Sequence, residues 1–383
     1  MIPLKEFLSS KPLYYDTIDL SRMPKAYEYI KPHVRFAKVI HVVGTNGKGT
    51  TGRILSSLLL SKGFSVGHYT SPHILKFNER IWINGSDIDD ERLELAHKKL
   101  YLLLPQDVSN SLSYFEYTTL LALMAFKKCD YVILEAGLGG EFDATNVVKK
   151  DLSIIVPIGE DHQQFLGDTL EKIAITKLRS IDKKALLAPN QPKIVLEVAK
   201  RIGAEKRCEI YSAKEILSSN EQNEIYESLE LKDWANYLKD NALTAVATMK
   251  LLGFENFGKF PKIVKMRGRF EKIAPNITLD VGHNELAAKA IVKTLKNKKV
   301  VLIYNTLEDK DAKSILSILS SVIKRVEIIP IQTQRKMAKD RLKKILEELN
   351  ISYCDFNGTN EKEEFFVFGS FYTVEAFLKF EAI

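Results

Sequence analysis

Residues Lys38 to Thr51 read KVIHVVGTNGKGTT, an apolar run that breaks into glycines around a lysine. Val39, Ile40, Val42 and Val43 suit a short buried strand, which stops at Gly44. Gly44, Gly47 and Gly49 follow closely, Lys48 stands between the last two, and Thr50 and Thr51 come behind them. Ile54, Leu55, Leu58 and Leu59 then recur at helical spacing. Strand, glycine-rich turn and helix form the plan of a phosphate cradle: backbone N–H groups converge on an oxyanion, aided by the positive end of the helix dipole. Lysine adds a point charge, and a threonine hydroxyl is within the chemistry of a Mg²⁺ ligand. The spacing differs from the common G-x-x-x-x-G-K-[ST] loop. Only Thr45 and Asn46 separate Gly44 from Gly47, and Gly49 separates Lys48 from Thr50.

At 383 residues the chain exceeds a comfortable single core, so two domains are expected. Hydrophobic residues make up 45%, ordinary for a globular protein, and no apolar run approaches the ~20 residues that span a bilayer. The N-terminal MIPLKEFLSS lacks the apolar core of a signal peptide. Cys129, Cys208 and Cys354 are odd in number and far apart, which argues against a disulfide framework or a thiolate metal site and for a reducing, cytoplasmic setting. The net charge of +7 comes from scattered lysines, so it reads as a solvated surface suited to a small polyanionic substrate rather than to nucleic acid.

Strand-like and helical patterns alternate along the rest of the chain. Strands are expected at 65–70, 131–137, 152–159 and 184–189, with helices near 90–104, 116–128, 168–181, 192–202 and 234–252. The alternation argues an α/β fold with a mostly parallel sheet covered on both faces. GFENFGKFPKIVKMRG (253–268) breaks the pattern, which places a boundary there, with domains 1–262 and 263–383. Alternation resumes at 277–282, 298–305, 326–332, 351–356 and 365–370, a second and smaller α/β domain. Residues 212–232 are polar and carry no clear pattern.

Polar residues cluster where apolar strands end, the place at which parallel sheets bind ligands. Glu135 closes YVILE and is a candidate ligand for a hard cation. The loop after it, AGLGGEFDATN, holds Asp143 and Asn146. His162 follows LSIIVPIG, and Ser71 follows SVGHYT at the head of a long segment, TSPHILKFNERIWING, that reads as a functional loop. Lys177 falls within the apolar stripe Leu170, Ile173, Ala174, Leu178 and Ile181. A lysine held there has a lowered pKa and can take up CO₂ as a carbamate. Asn241 likewise lies on the apolar face of its helix. In the second domain Arg269 follows the linker, positioned to reach back toward phosphates; Asp280 and His283 follow a strand; and Ser370 and Tyr372 stand at another strand end.

Together HVVGTNGKGT, TSPHILKFNERIWING, EAGLGGEFDATN, GEDHQQFLGDTLEKIA, RGRFE, DVGHN and GSFYTV resemble, in order and over almost the whole chain, the folylpolyglutamate synthase and dihydrofolate synthase family of the Mur ligase superfamily. The resemblance implies a P-loop mononucleotide-binding domain followed by a Rossmann-like C-terminal domain. It implies an ATP- and Mg²⁺-dependent amide ligase: a pteroate or folate carboxylate becomes an acyl phosphate and is attacked by L-glutamate, leaving ADP and phosphate. It assigns phosphate contacts to Gly44–Thr50, Mg²⁺ ligation to Ser71, Glu135 and His162, a carbamate to Lys177, and nucleotide contacts to Asn241, Arg269 and Asp280. Asp143 is expected on the substrate side, and His283, Ser370 and Tyr372 at the glutamate site. A monomer acting on small molecules is implied, with no nucleic-acid or membrane partner. Three stretches depart from the family pattern: Thr176-Lys177-Leu178-Arg179 stands for Glu-Lys-Ala-Gly, Glu141 for an arginine, and DVGHN for DGAHN. A Mur-type ligase acting on another carboxylate, or a nucleotide-dependent binding protein without ligation, are the competing readings; the TSPHILKFNERIWING segment and the polar strand ends weigh against them.

Overall fold

Strand β1 (Lys38–Val43) lies inside an eight-stranded sheet, with β2 (Val66–Tyr69), β3 (Ile81–Ile83), β4 (Ser86–Asp87), β5 (Tyr131–Glu135), β6 (Leu152–Ile155), β7 (Lys184–Leu187) and β8 (Glu209–Ser212). The order is β4-β3-β2-β5-β1-β6-β7-β8. β1 is parallel to both neighbours, pairing Val42 with Glu135 and Val43 with Ile155. Its last five residues are all buried, as a central strand covered on both faces requires. The architecture is that of a computed structural model describing residues 2–12, 19–228, 234–255, 266–296 and 298–382.

The chain divides into two units, Met1–Lys232 with Leu238–Val264, and Asp233–Tyr237 with Lys265–Ile383. The boundary expected at 262/263 lies outside the described residues. In the first unit, one core cluster joins β1, β2 and β5 to the helices Arg22–Ile30, Asp90–Leu103 and Tyr114–Ala125 through Val39, Tyr69, Val132, Leu134, Ile30 and Tyr117. A second joins Val43, Ile155 and Leu187 to the helices Leu170–Leu178 and Lys193–Lys206. The Lys48–Ser61 helix, with Ile54, Leu55, Leu58 and Leu59 buried, packs against β1, β2 and β5.

The second unit holds β9 (Glu271–Ala274), β10 (Ile277–Leu279), β11 (Val300–Tyr304), β12 (Ile323–Ile328), β13 (Tyr353–Asp355) and β14 (Phe365–Phe368), ordered β13-β12-β11-β14-β10-β9. Only β9 is antiparallel to its neighbour among these described strands. Leu302, Tyr304, Leu316, Phe366 and Phe368 build its core.

Two expectations change. Part of the segment read as a long loop is an antiparallel hairpin, β3–β4, on the edge of the first sheet. Its turn is Asn84-Gly85, both with positive φ, the pair that the twist of a tight hairpin favours. Residues within the patternless 212–232 form two short helices, Ala213–Ile216 and Ser219–Glu227. The second is started by a capping box in which the Ser218 and Glu221 side chains satisfy each other's backbone N–H groups.

Candidate functional site

The glycine-rich turn is held by the segment after β6. Thr45 N and Asn46 N donate to Pro157 O at 3.0 and 3.4 Å. The Thr45 hydroxyl donates to Gly159 O and accepts from Gly159 N, both at 3.0 Å. Gly47, in the left-handed region at φ 93°, turns the chain into the helix that begins at Lys48. The turn therefore presents the dipole-positive end of that helix to the loop, an arrangement that suits a phosphate.

Two lysine ammonium groups meet on one carbonyl of this loop. Lys48 Nζ donates to Gly44 O at 3.2 Å and Thr45 O at 3.1 Å. Lys177 Nζ donates to Gly44 O at 2.9 Å from a side chain that is 5% exposed. Burial, and then the charge of Lys48, lower the Lys177 pKa to about 7. The loop after β5 approaches the same helix closely: a Cβ at Gly140 would lie 2.6 Å from Lys177 O, so only glycine fits there. The depressed lysine makes stability pH-dependent. The unfolded chain binds the extra proton between about pH 7 and the ordinary lysine value, so the penalty is full below 7 and fades as pH rises through that window. Lys177→Met is expected to raise the melting temperature most at pH 6, with the gain shrinking toward pH 10; a gain independent of pH in paired melts would refute this.

Asn241 is buried, and its amide makes no hydrogen bond among the described residues. It lies beside the cradle: a Cβ at Gly47 would be 2.5 Å from Asn241 Oδ1. A buried amide needs partners, and here it faces the phosphate loop.

At the end of β5, buried Glu135 accepts hydrogen bonds at Oε2 from the Thr70 hydroxyl and from Ser71 N, the latter at 3.1 Å. Its Oε1 accepts none among the described residues. A carboxylate oxygen left over at a strand end, in a loop that also carries the Ser71 hydroxyl, is the kind of hard oxygen donor a divalent cation takes. His162 follows the strand on the other side of β1, in the left-handed region at φ 52°, with Nε2 3.8 Å from Asp161 Oδ2.

Asp143 is engaged by its own loop. Leu138 N donates to Oδ2 at 2.8 Å and Thr145 N to Oδ1 at 2.9 Å, and burial pushes its pKa up. Asn146 ties the loop back through Glu141 O at 2.7 Å. Two of the departures from the family pattern meet here: Glu141 pairs with Arg179 at 3.8 Å while Glu141 N donates to Thr176 O at 2.9 Å.

In the second unit, Asp280 accepts from Tyr237 OH at 2.6 Å and Phe270 N at 2.9 Å through Oδ2, and from Gly282 N at 2.7 Å through Oδ1. Burial raises its pKa. The Arg269 guanidinium stands 5.0 Å from the Phe371 ring, and the His283 ring 6.5 Å from it on centroids, so Phe371 gathers the two. Ser370 caps the Phe371–Phe380 helix by accepting from Thr373 N at 3.0 Å, and Tyr372 sits in that helix's first turn.

Sequence reading passed over Thr70, Tyr237 and Phe371. Thr70 carried a usable signal, since it is a hydroxyl at the same strand end as Ser71. Tyr237 and Phe371 carried none, because each acts across a gap in sequence.

A glycine- and lysine-bearing loop on a central strand of a mostly parallel sheet, with a carboxylate at the end of the next strand, in a chain that also carries a second α/β unit, is the plan of a nucleotide-dependent α/β protein. The Mur ligase middle domain family matches residues 42–256. A dihydrofolate synthase/folylpolyglutamate synthase of Haemophilus influenzae is 32% identical over 98% of this chain and 97% of its own. The Helicobacter pylori folylpolyglutamate synthetase crystal structure is 40% identical with a TM-score of 0.79, covering 99% of this chain and 98% of that one. E. coli FolC in complex with DHPP and ADP is 27% identical, TM-score 0.85, covering 100% and 98%. The Yersinia pestis bifunctional enzyme complexed with AMPPNP and Mn ion is also 27% identical, TM-score 0.86, covering 100% and 99%. This chain belongs to the dihydrofolate synthase/folylpolyglutamate synthase family, within the Mur ligases.

Proposed function

We propose that the protein is an ATP-dependent ligase that joins the carboxylate of dihydropteroate, or of a folate, to the amine of L-glutamate, releasing ADP and phosphate. The observation that carries this reading is the meeting of Lys48 and Lys177 on Gly44, in a sheet whose next strand ends in buried Glu135, hydrogen-bonded to Ser71 N from the loop after β2. The carboxylate oxygen attacks the γ-phosphorus, the bond to the β-phosphate oxygen breaks, and an acyl phosphate forms. The glutamate amine then attacks the acyl carbon, loses a proton, and expels phosphate. Anion meets anion in the first step, so positioning and fixed positive charge supply most of the catalysis. The Gly44–Thr50 loop holds the phosphates and Lys48 offsets their developing charge. Ser71, Glu135 and His162 are assigned to Mg²⁺, which when bound screens phosphate charge. Nucleotide contacts are assigned to Asn241, Arg269 and Asp280, acceptor contacts to Asp143, and glutamate contacts to His283, Ser370 and Tyr372. Lys177, with its pKa near 7, has a neutral fraction able to add CO₂ and release a proton, which supports the carbamate assignment.

No helix of the described residues is long and apolar enough to cross a membrane. Cys129, Cys208 and Cys354 are free thiols, which supports a cytoplasmic setting; a monomer is the proposed state. The test is ADP release with ATP, Mg²⁺, L-glutamate and either dihydropteroate or tetrahydrofolate. Release that requires glutamate and one of these acceptors is expected; release with neither overturns the reading. Turnover on only one acceptor decides between synthase activities.

A further inference from the structure

We propose that His41 is a positioning residue for the acceptor side of this site, acting through Thr145 on Asp143; the inference rests on the ligase reading above. His41 interrupts the apolar run of β1 and is fully buried, yet it belongs to no phosphate contact. Its Nε2 lies 2.8 Å from Thr145 Oγ1. The Thr145 hydroxyl has one proton, and it is spent on Asp143 Oδ1 at 2.5 Å. Toward His41 the hydroxyl therefore accepts, which makes Nε2 the protonated nitrogen and fixes the tautomer. Nδ1 has no hydrogen-bond partner among the described residues. Burial and the charge of Lys150 keep the ring neutral, with its pKa lowered to about 3, so it serves as a constant donor rather than a switch.

The chain runs from β1 through Thr145 to Asp143, whose other oxygen holds Leu138 N. Those groups fix both ends of the loop that follows Glu135. The phosphate loop is anchored at Pro157, Gly159 and Lys177, none of which hydrogen-bonds to His41, Thr145 or Asp143. Loss of the His41 donor should thus disturb the loop carrying Asp143 far more than ATP binding.

The experiment compares His41→Leu, His41→Gln and Thr145→Val with the native protein by steady-state kinetics, and by titration of dihydropteroate in the absence of ATP. A glutamine amide places its nitrogen near the position of Nε2 and restores the donor. His41→Leu and Thr145→Val are expected to raise the acceptor KM about tenfold, the scale of one lost hydrogen bond. ATP KM stays within about twofold of native, well inside that tenfold unit, and His41→Gln recovers the acceptor KM. Equal changes in both KM values, no change, or a glutamine variant no better than leucine would overturn the inference. Should His41→Leu fail to fold, Thr145→Val against His41→Gln still makes the comparison. A native protein that binds dihydropteroate but does not turn over counts against the ligase reading, and the titration then still decides the role of His41.

Discussion

Lys48→Ala lowers ligation turnover by about two to three orders of magnitude while the protein stays folded, on the scale seen when a fixed donor to developing charge is removed. The Lys48 ammonium is satisfied by two carbonyls of its own loop, Gly44 O and Thr45 O. Its loss removes no tie between distant segments, because the loop is anchored independently by Thr45 and Asn46 to Pro157 and Gly159. The cost in stability should be about 2 kcal/mol, that of two hydrogen bonds. Removing Lys48 also removes the neighbouring charge that helps to depress Lys177, so the Lys177 pKa rises toward its ordinary value. ADP release and a thermal melt on the same preparation check both halves. Turnover within about tenfold of native would mean the charge at this position is not what stabilises phosphoryl transfer.

Gly47→Ala is expected to abolish nucleotide binding at a cost in stability of a few kcal/mol. The left-handed backbone at φ 93° alone costs an L-residue about 1–2 kcal/mol. The added Cβ would also stand 2.5 Å from Asn241 Oδ1, the end of a side chain with no hydrogen bond among the described residues, so either that amide turns away or the loop shifts. The Asn236–Leu251 helix is packed over most of its length, with Leu238, Ala242, Leu243, Ala245, Val246 and Met249 buried, so its backbone holds and the strained φ falls on the loop. Its amides then no longer converge on a phosphate. Titration with a fluorescent ADP analogue, alongside denaturant unfolding, measures the two effects. Gly47→Ala/Asn241→Gly opens the space but keeps the strained φ, so it should recover part of the stability; no recovery would place the whole cost in the backbone.

Local signals were legible in the sequence and distant ones were not. The strand, turn and helix around Gly44–Lys48 could be read because apolar run, glycines and helical spacing are contiguous. Lys177 and Asn241 stood out because each is polar on an apolar stripe, and both prove buried against the phosphate loop. The β3–β4 hairpin left one legible mark, the Asn84-Gly85 pair, but IWINGSD is too short for its alternation to rise above the polar residues before it. His41 was hidden for a different reason. In an apolar strand a single histidine looks like noise, and only Thr145, 104 residues on, gives it a partner. The hydrogen bonds that Asp143 and Asp280 accept from their own loops were equally unreadable, since a carboxylate at a strand end looks alike with or without them.

The position of β1 between β5 and β6 has a consequence for synthesis. The loop that follows β1 is fastened to Gly159, 114 residues later, and Lys177 reaches Gly44 across 133 residues. A nascent chain that has exposed only β1 and its helix has the motif but none of its anchors. Contacts of such separation form late, because the loop they close must be ordered first. Nucleotide capture is therefore a property of a nearly finished first unit, and ribosome-bound chains ending before β6 should not retain ATP.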